Sequence, residues 1–99
     1  MLTGLEQLAV GYFNQDYDLD YPNPMDAVVA FAAEDGRESV DQAAAEVEQL
    51  LNSGLGEDAL AEVWIERYGS SFEPTRYGMT YHDWLVKTLD ILRTGAQRD

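Results

Sequence analysis

A chain of 99 residues can form roughly three to five helices around one core and is too short for a second core. Its apolar share of 45%, with large side chains throughout, indicates a folded globule, although nineteen acidic residues against six basic ones leave a net charge of -13. The lack of cysteine excludes disulfides, thiolate nucleophiles and zinc–sulfur sites; no apolar run approaches the roughly 20 residues of a membrane span, and no basic, apolar signal opens the chain, so cytoplasmic residence is expected.

Leu2, Leu5, Leu8, Ala9, Tyr12 and Phe13 recur at helical spacing and predict a first helix over residues 3–14, slightly weakened by Gly11. In the segment from Asn14 to Pro24, repelling carboxylates and two prolines favour an ordered loop, although alternation leaves room for a short strand at 15–21. Asn23 is placed to cap a second helix with Pro24 at its first position, and Asp35-Gly36 ends it. Ser39 followed by Gln42 has the form of a capping box, after which Val40, Ala43, Ala44, Val47, Leu50 and Leu51 trace an inward stripe; Gly54 suits the turn beyond it.

Glu57 and Asp58 fall in the first turn of a fourth helix, where exposed N–H groups favour negative charge. Ala59, Leu60, Val63, Trp64 and Arg67 follow its inner face, Ile65 falls off that stripe, and Gly69 is the stop. Residues 70–78 read as a connection tied to the core by Phe72 and Tyr77, with a short strand at 70–77 as the alternative. Thr80 with Asp83 resembles a cap arrangement for a final helix carrying Trp84, Leu85, Thr88, Leu89, Ile91 and Leu92, which Gly95 ends. The expected fold is all-α: a compact bundle of four or five short helices in one domain over residues 1–99, with Trp64 and Trp84 in its core.

Charge divides unevenly along the chain. Residues 1–66 hold fifteen acids and only Arg37, a difference of -14, whereas residues 67–99 come to +1. Such a field attracts a basic partner and repels phosphate backbones, so direct nucleic-acid binding is disfavoured. The few late cations are scattered and suit pairing with the chain's own acids. Asp16, Asp18 and Asp20 have the spacing that begins a calcium loop, but Tyr21 stands where glycine is needed and Ala27 where a bidentate Glu is needed, so no metal site is expected. Tyr17 and Tyr21 among these carboxylates make the segment a candidate protein contact, since aromatics supply rigid area while acids meet Lys or Arg. Catalysis has little support. His82 is the only histidine and its neighbour Asp83 does not face it on a helix; pairs such as Asp16/Asp20 and Glu46/Glu48 lack any sign of unequal environments; and no phosphate loop or nucleophile elbow is present. No catalytic residue and no cofactor is expected.

At Tyr12-Phe13-Asn14-Gln15-Asp16-Tyr17-Asp18, and again at Tyr77-Gly78-Met79-Thr80-Tyr81-His82-Asp83-Trp84-Leu85, the chain resembles small immunity proteins of bacterial contact-dependent growth inhibition systems, in matching order from about Leu5 to Leu92. The resemblance implies a cytoplasmic antidote that binds the toxic C-terminal domain of a contact-delivered protein, one to one. Many such toxins are nucleases, whose polyanion-holding surface is basic and can be covered by an acidic protein. Tyr12, Phe13, Trp84 and Leu85 read as scaffold. The contact candidates are Asp16, Tyr17, Asp18, Asp20 and Tyr21 in the loop, with Glu46, Glu48, Glu57, Asp58 and Glu62 on the helices. The alternative is an acidic nucleic-acid mimic, or an adaptor for another basic protein.

Overall fold

The structure, a computed structural model, describes residues 3–16, 19, 21 and 23–96. Among these it contains five helices and no strand. Helix α1 (Gly4–Gln7) runs straight into a π-helical turn, Leu8–Tyr12; α2 is Pro24–Glu34 and α3 is Arg37–Asn52; α4 (Glu57–Ala61) likewise runs into a π-helical stretch, Glu62–Arg67; a 3-10 turn, Pro74–Tyr77, precedes α5, Tyr81–Ala96. The long helix α5 packs on α3 and α2, α1 crosses α3, and α4 leans on α5. None of the described helices is long and apolar enough to cross a membrane.

Local chemistry explains most of the boundaries. Asn23 Oδ1 accepts from the Met25 N–H at 3.0 Å and Pro24 occupies the first helical position, as the sequence requires of α2. Thr3 starts α1 with a capping box: its hydroxyl accepts from the Glu6 N–H and the Glu6 carboxylate accepts from the Thr3 N–H. Gly54 and Gly69 end α3 and α4 at φ of 77° and 76°, a left-handed backbone that a side chain would disfavour.

The start of α3 differs from the expected Ser39 cap. The helix begins three residues earlier, after Gly36, whose carbonyl accepts from the Val40 N–H at 3.1 Å. Gln42 is taken instead by a distant partner: its Oε1 accepts from the Gly4 N–H at 2.8 Å, and Glu46, one turn on, accepts from the Leu5 N–H at 2.8 Å. Two side chains of α3 thus satisfy N–H groups at the start of α1 that the short helix cannot satisfy itself.

Both π stretches close with bonds spanning five residues, Phe13 N–H to Leu8 C=O and Tyr68 N–H to Val63 C=O. A wider turn rotates the side chains that follow. That rotation brings Ile65, which lies off the regular helical stripe, against the core. The ends of the two stretches then meet, because the Ser71 N–H bonds to the Phe13 carbonyl at 2.8 Å.

Around this junction lies an aromatic cluster. Phe13 stacks on Phe72 with ring centres 4.6 Å apart, and Trp84 stands 5.8 Å from Phe13, 5.2 Å from Phe72 and 4.5 Å from Trp64. All four rings are buried. Trp64 also donates its indole N–H to the Phe72 carbonyl at 3.0 Å, so the connection expected at residues 70–78 is held by both packing and a hydrogen bond.

Candidate partner-binding surface

The loop candidates separate into two kinds. Asp16 is exposed, in a turn where the Asn14 side chain accepts from the Asp16 N–H at 3.0 Å and the Asp16 carbonyl accepts from the Leu19 N–H. Leu19 itself is 78% exposed, the most exposed of the large apolar side chains described. Tyr21, by contrast, is half-buried with its ring 6.3 Å from Tyr12, which stands edge-on to Phe31 at 5.5 Å. This contact ties the loop to the π-helical turn that follows α1. Tyr17, Asp18 and Asp20 lie outside the described residues.

Three of the helical candidates have internal partners. Glu46 accepts from the Leu5 N–H at 2.8 Å, and its charge acts on the Tyr68 phenol. Glu48 pairs with Arg93, tying α3 to α5 where both side chains remain half-exposed. Glu57 sits in the first turn of α4, yet its two oxygens accept from the Tyr81 N–H at 2.7 Å and the His82 N–H at 3.0 Å. It therefore caps α5 from across a gap of more than twenty residues, alongside Thr80, whose hydroxyl accepts from the Asp83 N–H at 3.0 Å. These carboxylates are charge and structure at once.

Their charge also acts on tyrosines. Burial, then the carboxylates of Glu73 and Glu57, raises the Tyr81 phenol; burial and then Glu46 raise Tyr68, against a smaller opposing effect of Arg67; burial, a hydrogen bond to Asp35 and the charge of Asp35 raise Tyr12 furthest. All three keep their protons well into alkaline conditions.

Asp58 and Glu62 are different. Both are exposed, and no ion pair involves either among the described residues. Glu62 lines an open groove of about 570 Å³ along α4, together with Leu55, Ala59, Val63, Glu66 and Arg67. Glu66 is exposed and shares this situation, although charge reading along the chain does not single it out. A signal for it exists in the sequence: residues 55, 59 and 63 recur every four positions, with acids at 62 and 66 beside them.

His82 is exposed and contributes its backbone N–H, not an observed ring contact, to Glu57. It does not line the groove. Among the described residues no three His, Asp or Glu side chains are grouped so as to hold a metal ion.

A family profile described as CdiI immunity protein matches residues 2–92. The fold is also similar to a chain of the crystal structure of a CdiA-CT/CdiI complex from Y. kristensenii 33638, with a TM-score of 0.82 and 25% sequence identity, over 90% of this chain and 95% of that chain. No curated protein matches significantly.

Proposed function

Because this chain belongs to the CdiI immunity protein family, we propose that it acts as the stoichiometric, non-catalytic antidote of a cognate toxin C-terminal domain, and that this toxin is a nuclease blocked through an acidic surface. The observation that carries the reading is the family match over 91 of 99 residues in a chain with a net charge of -13. A nuclease holds its substrate with positive side chains; a negatively charged protein competes for the same surface and is drawn to it by long-range attraction. The likeness to a chain crystallised in a CdiA-CT/CdiI complex supports a complex with a toxin C-terminal domain as the working form.

On this reading residues 1–99 act as one domain, in the cytoplasm, where an incoming nuclease finds its substrate. The decisive experiment is co-expression with a candidate cognate CdiA toxin C-terminal domain. Protection of growth, co-purification of a heterodimer and suppression of nuclease activity in vitro are expected. Absence of both protection and complex formation would refute immunity, and protection against a toxin without nuclease activity would refute the finer assignment.

A further inference from the structure

We propose that the toxin docks on the groove along α4, placing an apolar side chain on its floor and Lys or Arg side chains over its acidic rim. This rests on the immunity reading and names the surface that performs it. The floor is apolar and accessible: Leu55, in the connector just before α4, is 41% exposed, and Ala59 and Val63 follow one turn apart on one helix face. Glu62 and Glu66 flank that strip, with exposed Asp58 one turn before Glu62. Apolar area beside unpaired charge is the combination an interface hot spot needs.

Subtraction separates this surface from the other acidic helical positions. Glu46, Glu48 and Glu57 already bind Leu5, Arg93 and the start of α5. The groove's two carboxylates have no ion-pair partner among the described residues. They are free to pair across an interface without breaking an internal bond. Arg67 is the one cation in the lining and sits at its C-terminal end, so the occupant's positive charge belongs over Glu62 and Glu66 rather than at that end.

The platform is also rigid. Glu57 joins the beginning of α4 to α5, and Trp64, between the two acids, is buried in the aromatic cluster with its N–H bonded to Phe72. Little ordering of this helix is then required on binding, which preserves affinity.

The test uses the full-length protein and a catalytically inactive form of the toxin domain against which it protects, with binding followed by calorimetry and association by stopped flow. Glu62→Lys with Glu66→Lys should weaken binding by about 100-fold or more and abolish protection. Ala59→Arg, which fills the groove while leaving both acids, should weaken it by a similar factor. Glu38→Lys with Asp41→Lys makes the same charge change on exposed positions of α3 and should alter affinity by no more than about threefold. Circular dichroism and melting of each variant show that the fold is intact. Tight wild-type binding with groove variants within about threefold of it overturns the groove alone, as does equal weakening by the α3 pair, which would mark a general field effect. Absence of wild-type binding overturns the immunity reading and the groove with it.

Discussion

Gly4 has no room for a β-carbon. A methyl group there would meet the Ser39 carbonyl oxygen and lie 2.6 Å from the Ala43 nitrogen, both backbone atoms of α3 that cannot rotate away. Gly4→Ala should therefore destabilise the protein by about 1–3 kcal/mol despite alanine's better helix propensity, and an unchanged urea midpoint would contradict the close packing. Tyr12 provides a second residue-scale test. Its phenol is raised from an ordinary value of 10.0, so the folded state binds this proton more tightly than the unfolded state does. The associated stability is fully present below about pH 10 and is lost as pH rises through the folded value. Tyr12→Phe should make denaturation midpoints fall less steeply above about pH 10, while Tyr68 and Tyr81 maintain part of the wild-type slope. Gly4 shows the limit of reading residues one by one: nothing in the sequence singles it out, and only the meeting with α3 makes it necessary.

At the scale of elements, the strongest helix signals are local ones. The Asn23-Pro24 start, the glycine stops at 54 and 69, and the burial of Trp64 and Trp84 all follow from neighbours within a turn or two. Boundaries shift where a side chain is claimed from far away, as Gln42 is by Gly4. The π stretches leave no mark in composition either, because a bond spanning five residues is chosen by tertiary packing. Glu57 illustrates the same divide at the candidate surface: its charge is legible in the sequence, its role as the cap of α5 is not. Glu57→Ala should cost about 0.5–2 kcal/mol by uncovering two N–H groups, with hydrogen exchange accelerated in the first turn of α5; unchanged exchange there would refute the cap. Trp84→Ala removes the ring shared by Phe13, Trp64 and Phe72 and should cost about 3–5 kcal/mol. Retained thermal stability would contradict its central position.

For the whole molecule, net charge follows from composition alone, whereas its division into internally bonded and available carboxylates depends on how the helices meet. Both kinds contribute to the field at a distance, so the rate of encounter depends on more acids than the contact does. Asp16→Asn with Asp20→Asn should slow association with the toxin domain, and the difference from wild type should shrink as salt shortens the range of the field. Dissociation should change less. A difference independent of ionic strength would assign these loop residues to direct contact instead of steering.

The aromatic cluster also sets when the protein can become an antidote. Its rings come from residues 13, 64, 72 and 84, and the groove helix α4 is anchored through Trp64 to a partner near the end of the chain. A ribosome must therefore release the segment around Trp84 before the earlier helices can lock together. Nascent chains ending near residue 79 should lack the near-ultraviolet circular dichroism of fixed aromatic rings. Protection against a toxin already in the cell would then draw on molecules completed before it arrived, making standing abundance, rather than new synthesis, the quantity on which survival turns.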